Sequence, residues 1–243
     1  MSTFAFVLLT SALVAVESVR IELHFESLCK QCQIHTASID DVIIHGGSES
    51  NMEDAGMMSE LEMSIDYYGA PDCVAHAEKW DTEHGPDLCY TDRYHLCAQK
   101  QGGGSAKGAG QTWWPFVHCM FMNMDQMKCG VNEHCEDSSR FEAALQGSVN
   151  LCAAVSGMDG DAITTCASGE EGEELAKESY RRTDKTLLAG FAPAYINGDK
   201  LEGADEVWRK TPDQLLYGQT MLTALCGAIV EGNATAPGAC KGL

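Results

Sequence analysis

The chain has 243 residues, enough for one good-sized domain with its own hydrophobic core. Its 36 acidic and 16 basic residues give a formal net charge of −20, which disfavours nucleic-acid binding because that binding needs a basic surface. The 12 cysteines are about twice the number that we expect in a cytosolic enzyme, so they favour an oxidising compartment.

The N-terminus has the composition of a secretion signal. Residues 4–16 (FAFVLLTSALVAV) carry no charge and are mostly apolar, but the run is too short to span a bilayer comfortably. The small residues Ala15 and Ser18 offer cleavage points. The alternative is a buried N-terminal strand or helix, but the length, the position and the cysteine content favour a signal peptide over 1–18. We expect the remainder, 19–243, to be one soluble domain without a membrane span.

The first strand is predicted at 19–25, where apolar and polar residues alternate. Cys29-Lys30-Gln31-Cys32 follows and opens a helical segment that runs to Asp41. A C-x-x-C at this place puts its first sulfur beside the free N–H groups of the first helical turn, which stabilise a thiolate. The motif alone allows disulfide exchange, a small structural loop or zinc binding. We expect Lys30 to be exposed with little effect on the thiolate, and His35 to lie on the surface.

A second strand is predicted over 61–68, where the alternation returns, and Gly69-Ala70-Pro71 ends it. A cysteine-dense stretch from Cys73 to Cys97 follows, and the glycine-rich run at 101–110 has the composition of an inserted loop. The remaining predicted elements are helices over 116–127 and 138–155, a helix beginning near Glu170, a short strand within 191–198 that ends in an Asn-Gly turn, and a closing helix over 211–230.

These elements occur in the order of a thioredoxin-like α/β fold: a strand, the C-x-x-C, a helix, a strand, a long insertion, a strand that contains Pro193, and a final helix. The insertion, at about residues 70–180, is rich in cysteine and mostly helical. It lies between the second strand and the Pro193 strand.

A resemblance to a known family becomes specific between His84 and Cys97. This segment resembles the C-Q-H-G-x2-E-C-x2-N-x4-C signature of the gamma-interferon-inducible lysosomal thiol reductase family, with His84, Gly85, Cys89 and Cys97 in register. The departures are Leu88 in place of Glu, Asp92 in place of Asn, and Thr82-Glu83 in place of Cys-Gln.

Short matches in the same order extend the resemblance over nearly all of the chain after the signal, apart from 41–57 and the loop at 101–112. Any one of them is weak, but their collinearity is specific. The matching segments are Glu26-Ser27-Leu28-Cys29-x-x-Cys32, Tyr68-Gly69, Cys119-Met120, Cys166-x-x-Gly169-x-x-Gly172, Arg182-Thr183-Asp184, Pro193, Asn197-Gly198, and the pair Cys226 and Cys240.

The resemblance implies a thiol–disulfide oxidoreductase that reduces protein disulfides in an endo-lysosomal or extracellular setting, with no metal or other cofactor and with an external thiol as reductant. It implies that Cys29 is the nucleophile, that Cys32 resolves the mixed disulfide, and that Pro193, in cis, positions the substrate. The alternatives are a secreted disulfide-stabilised or zinc-binding module without redox catalysis, and the same fold acting as an oxidase or isomerase.

The other ten cysteines suffice for five structural disulfides, whose connectivity does not follow from the sequence. The resemblance implies a Cys226–Cys240 bridge and a pairing of Cys89 with Cys97 or a neighbour. The ten cysteines are Cys73, Cys89, Cys97, Cys119, Cys129, Cys135, Cys152, Cys166, Cys226 and Cys240. Cys73 is the nearest replacement for the missing signature cysteine, and Cys129 is expected to pair with Cys135.

Asn233-Ala234-Thr235 is a glycosylation sequon in a polar tail, and we expect Asn233 to be occupied.

Overall fold

The structure is a computed structural model that describes residues 18–43, 57–68, 85–127, 138–183, 194–201, 214–231 and 240. Several sequence predictions lie outside these residues: the signal peptide up to residue 17, Cys73, His84, Cys129, Cys135, Pro193 and Asn233.

Four strands form one mixed sheet in the order β2-β1-β3-β4. β1 (Val19–Phe25) pairs in parallel with β2 (Leu61–Tyr67) and antiparallel with β3 (Ala194–Ile196). β4 (Asp199–Lys200) returns antiparallel to β3 through the turn at 197–198. Both turn residues have positive φ, 53° for the Asn and 88° for the Gly, which an Asn-Gly pair readily adopts. The predicted turn is therefore confirmed, and it adds a short fourth strand that the sequence did not predict.

Most of the described helices lie between β2 and β3, as the predicted insertion requires. α1 and α8 pack against each other, and α8 also contacts β1 and β3. Within the described residues no helix has the length and hydropathy that crossing a bilayer requires. The helices are α1 (Lys30–Ile43), α2 (Gly85–Gln101), α3 (Gly110–Met122), α4 (Met124–Met127), α5 (Ser138–Ser156), α6 (Gly160–Ser168), α7 (Glu170–Thr183) and α8 (Gln214–Glu231), and a 3-10 turn occupies Met57–Glu60.

α3 begins six residues before its predicted start, so that Pro115 lies inside the helix. Proline removes an N–H donor from the helix ladder, so the sequence favoured a start after it. The helix persists because one side of it is fully buried: Trp113, Trp114, Phe116 and Phe121 are all 0% exposed. Core packing here outweighs the lost hydrogen bond.

The free edge of β2 is covered by side chains of the insertion. The Ile65 N–H donates to Gln99 Oε1 at 2.7 Å, and the Tyr67 N–H donates to Ser179 Oγ at 2.7 Å. The Thr183 hydroxyl donates to the Tyr67 carbonyl at 2.8 Å. Because these groups satisfy the edge, β2 is closed to pairing with another strand.

The guanidinium of Arg182 fixes α7 against the same strand. Its Nε lies 3.0 Å from both Asp66 oxygens, and its Nη2 lies 2.7 Å from Oδ1. The Asp66 carboxylate is mostly buried, so this charge-assisted pair holds better than an exposed one. Arg182 and its neighbour Thr183 therefore both anchor α7 to β2, which gives the Arg-Thr match of the sequence analysis a structural role.

Three disulfides join described cysteines. Cys97–Cys166 joins α2 to α6, Cys119–Cys152 joins α3 to α5, and Cys226–Cys240 joins α8 to the C-terminal segment. Their sequence separations of 69, 33 and 14 residues correspond to about 3–4 kcal/mol of stabilisation each in the chain-entropy picture.

These bridges exclude one of the two pairings that were expected for Cys89. Cys89 is disulfide-bonded, but not to Cys97, since the sulfur of Cys97 is bonded to Cys166. Helix packing, which brings α6 against α2, determines the partner of Cys97.

The replacement Gly172→Ala is expected to lower the free energy of unfolding by roughly 2 kcal/mol. A Cβ at this position would lie 2.6 Å from the Cys166 carbonyl oxygen and 2.7 Å from Ala167 Cα, where α6 approaches α7. Urea denaturation measures the change. The matched control is Gly147→Ala in α5, where the Cβ has open space and helix propensity raises stability by up to about 1 kcal/mol. Equal effects of the two replacements would contradict the close approach.

Candidate active site

Cys29 occupies the N-cap position of α1. Its carbonyl accepts the first helical hydrogen bond, from the Gln33 N–H at 3.0 Å. Its Sγ accepts the Cys32 N–H at 3.4 Å, in the place where a Ser or Asp side chain normally caps a helix. Negative charge at this position is stabilised by the helix dipole and by the free N–H groups of the first turn. The geometry suits a thiolate on Cys29.

Cys32 lies one turn further and deeper. It is 2% exposed against 9% for Cys29, and both are thiols rather than a disulfide. Its Sγ accepts the Glu26 N–H at 3.4 Å. Burial is the largest cause that raises the pKa of Cys32 well above its ordinary value, and the hydrogen bond with Cys29 and the Cys29 charge raise it further. The pair is therefore asymmetric: Cys32 holds its proton more strongly than an ordinary thiol, and the cap position of Cys29 favours a negative charge there.

The first turn of α1 is fastened to the insertion. Gln33 Nε2 donates to the Phe121 carbonyl at the end of α3 at 2.8 Å. Lys30 Nζ lies 2.5 Å from Gln33 Oε1 and 3.3 Å from Asp125 of α4. The Lys30 and Asp125 side chains are 59% and 63% exposed, so this ion pair contributes little to stability. The ammonium is shared with a carboxylate, in keeping with its expected small effect on the thiolate.

His35 is placed differently from our expectation. It is only 3% exposed and lies 6.5 Å, centroid to centroid, from the ring of Phe25. The prediction of a surface histidine is wrong because this face of α1 packs against β1 and not against solvent.

A buried carboxyl lies beside the turn that precedes Cys29. Asp92 of α2 is 0% exposed. Its Oδ1 accepts the Ser27 N–H at 3.3 Å, and its Oδ2 accepts the Tyr180 hydroxyl at 2.9 Å. Burial is the largest cause that raises the pKa of Asp92 to about 8; the hydrogen bonds from Ser27 and Tyr180 oppose it and Glu26 adds to it. Sequence reasoning noted Asp92 only as a departure from the family's Asn.

Two further buried polar groups, Tyr67 and His95, lie in the same region. The Tyr67 hydroxyl and His95 Nδ1 are 2.6 Å apart and both residues are 0% exposed. Burial lowers the pKa of His95 to about 3, so the ring is neutral, and the tautomer decides which of the phenol and Nδ1 is the donor. Burial is the largest cause that raises the pKa of Tyr67, and the charges of Asp92 and Cys32 follow. The pKa of the Tyr67 hydroxyl therefore depends on the charges of both Asp92 and Cys32.

Two cavities lie away from the cysteines. One, of about 620 Å³, is lined by Arg20, Asn197 and neighbours, and another, of about 790 Å³, is lined by Arg20, Lys100, Arg182 and neighbours. Both border the start of β1, whereas Cys29 follows its end. Among the described residues no group of three or more His, Cys, Asp or Glu side chains is placed to hold a metal ion.

Comparisons with known proteins agree with this arrangement. The model of a family described as gamma interferon inducible lysosomal thiol reductase matches residues 20–139. No curated protein matches the chain in sequence. Reduced DsbA1 from Neisseria meningitidis is 13% identical with a TM-score of 0.51, over 91% of this chain and 89% of that one. A proposed protein-disulfide isomerase from Pseudomonas syringae is 12% identical with a TM-score of 0.51, over 85% and 93%. These structural likenesses confirm the predicted thioredoxin-like fold with its helical insertion.

The replacement Asp92→Asn is expected to make stability less dependent on pH. The Asp92 pKa is raised from 3.8 to about 8 by folding, so its contribution to stability is fully present below about pH 4 and is lost as the pH rises through 8. The stability of the variant relative to the wild type should therefore grow from about pH 4 to pH 8, by on the order of a few kcal/mol. Thermal and urea unfolding at several pH values measure this. If the stabilities of wild type and variant run parallel over the whole pH range, the raised pKa of Asp92 is contradicted. Asp125→Asn, which changes an exposed carboxylate, is the control.

Proposed function

We propose that this thiol–disulfide oxidoreductase reduces protein disulfides with the Cys29–Cys32 pair, and the match of residues 20–139 to the gamma interferon inducible lysosomal thiol reductase family supports the proposal. The observation that carries the proposal is the sulfur of Cys29 in the cap position of α1, with the Cys32 N–H as its donor. The deeper burial and raised pKa of Cys32 support the role of resolving residue for Cys32.

The reaction has two exchange steps. The Cys29 thiolate attacks one sulfur of the substrate disulfide, a mixed disulfide forms, and the other substrate sulfur leaves as a thiolate. Cys32 then loses its proton and attacks the Cys29 sulfur, which releases the second substrate sulfur and leaves a Cys29–Cys32 disulfide. The two electrons gained by the substrate come from this pair, and an external thiol reductant restores it.

The asymmetry of the pair helps the second step. The negative charge of Cys29 and its hydrogen bond both raise the pKa of Cys32 in the reduced site. In the mixed disulfide Cys29 carries no charge, so this contribution is absent and Cys32 becomes more acidic. Cys32 thus remains protonated while Cys29 attacks and loses its proton more easily when resolution requires a thiolate.

We propose an acidic endo-lysosomal or extracellular setting, which the family match and the cap position of Cys29 support. A thiol with an ordinary pKa of about 8.5 is almost wholly protonated near pH 5, so a reductase that works there needs a stabilised thiolate. We place the cleaved signal at 1–18, the mature domain at 19–243 and a glycan on Asn233. These assignments rest on the sequence.

Pro193 is proposed to position the substrate backbone. It directly precedes β3, which pairs with β1, and β1 leads through the turn at 26–28 to Cys29. Pro193→Ala is expected to raise the KM for a disulfide-bonded protein roughly tenfold, because proline fixes the backbone that the substrate meets. Alkylation of Cys29 by iodoacetamide should keep its rate. A variant with unchanged KM would contradict the positioning role.

Serine replacements test the dithiol. Cys29→Ser is expected to lower insulin reduction at about pH 4.5 at least about 100-fold, because a serine hydroxyl does not ionise in this range. Cys32→Ser should accumulate a covalent enzyme–substrate disulfide that non-reducing electrophoresis detects. The control is the double variant Cys226→Ser/Cys240→Ser, which removes a structural bridge on α8.

Two results would argue against the proposal. Equal activity of the wild type and Cys29→Ser would remove the assigned nucleophile. A Cys29–Cys32 pair far more oxidising than glutathione, above about −180 mV, would make the protein an oxidase or isomerase instead.

A further inference from the structure

Asp92 is fully buried beside the turn that leads to the dithiol, and the proposed exchange steps do not use it. We propose that Asp92 is electrostatically coupled to the Cys29–Cys32 pair, so that oxidation and reduction of the pair are linked to ionisation of this carboxyl. The inference rests on the proposed function, because it concerns the redox couple that performs it.

The geometry brings the two groups to neighbouring peptide units. The Glu26 N–H donates to Cys32 Sγ at 3.4 Å, and the next N–H in the chain, that of Ser27, donates to Asp92 Oδ1 at 3.3 Å. Consecutive backbone nitrogens are less than 3.8 Å apart, so the sulfur and the carboxyl oxygen are at most about 10 Å apart. The Cys29 sulfur lies one contact further, across its hydrogen bond with Cys32.

The surroundings do not neutralise the carboxyl. From the preceding turn Glu26 faces it with another acid, from β2 Tyr67 faces it with a phenol, and from α7 Tyr180 donates to it. On its own helix α2, Arg93 acts on Tyr180, and His95 is neutral. Lys30, at the start of α1, pairs with Asp125 instead. A negative charge on Asp92 therefore acts on the dithiol through a buried, low-dielectric region.

The proton balance follows from this arrangement. Oxidation of a Cys29 thiolate and a Cys32 thiol releases two electrons and one proton, whereas a substrate disulfide takes up two electrons and two protons to become two thiols. While Asp92 is protonated, the reduced site holds a second proton. Loss of the thiolate charge on oxidation lowers the pKa of Asp92, so its proton becomes available.

Above its pKa of about 8 Asp92 is ionised, and there it changes the reduction potential of the pair. An ionised Asp92 repels the thiolate, destabilises the reduced form and makes the pair a stronger reductant. The Cys29 sulfur lies further from Asp92 than the Cys32 sulfur does. Two unit charges about 12 Å apart at an effective dielectric constant of about 20 change an equilibrium constant roughly tenfold. For a two-electron couple this corresponds to about 30 mV.

The test compares the reduction potential of wild type and Asp92→Asn from about pH 5 to pH 9.5, by equilibration with dithiothreitol and alkylation of the remaining thiols. Asparagine imitates the protonated acid. We expect equal potentials near pH 5, and above pH 8 a wild-type potential about 30 mV lower, a roughly tenfold change in equilibrium constant. Curves that stay parallel over the whole range would overturn the inference. Asp125→Asn should follow the wild type throughout.

A second variant keeps the test independent of how Asp92→Asn folds. Tyr180→Phe retains the carboxyl but removes the hydroxyl that donates to Oδ2, so the Asp92 pKa rises and the bend in the potential moves to higher pH. An unmoved bend would overturn the inference. A wild-type protein with no reversible Cys29–Cys32 couple would overturn the proposed function and this inference together. A normal couple with no bend would overturn this inference alone.

Discussion

The hydrogen bond from the Cys32 N–H to the Cys29 sulfur is the contact on which the site depends, because it makes a thiol the cap of α1. It exists only if β1 ends at Phe25 and the turn delivers Glu26 to Cys32. A one-residue slip of β1 against β2 would exchange the faces of the strand and displace that turn. The register of a parallel strand pair thus positions the turn that carries Cys29 and the N–H group that reaches Cys32.

Among the residues that the structure describes, the insertion reaches the C-x-x-C region by polar contacts and not by disulfides. Its described bridges join insertion helices to one another, as in Cys97–Cys166 and Cys119–Cys152. The contacts that reach the C-x-x-C region are hydrogen bonds, from Gln33 to α3 and from the Ser27 N–H to α2. The insertion helices can therefore stay in contact with the C-x-x-C region through hydrogen bonds, while their own disulfides stabilise the insertion.

The sequence predicted the elements whose pattern is simple and missed those whose burial is polar. β1 and β2 alternate cleanly at their starts, so their bounds were predictable to within a residue. α2 was not predicted, because its buried side carries Asp92, His95 and other polar residues that periodicity assigns to the surface. The prediction that His35 lies on the surface was wrong for the same reason. Hydrophobic patterns locate a core, but they do not reveal polar groups that the core encloses and satisfies.

Asp92 shows why such a position needs the fold to be understood. A carboxylate there accepts from both the Ser27 N–H and the Tyr180 hydroxyl. A carboxylic acid still accepts from Ser27, and the tyrosine hydroxyl can turn to accept its proton, since a hydroxyl serves as donor or acceptor. The same atoms therefore suit both ionisation states, so titration needs no rearrangement of the helices. An asparagine, as in the family signature, satisfies the acid-state contacts but holds no exchangeable charge, and that difference separates this chain's site from the signature it otherwise resembles.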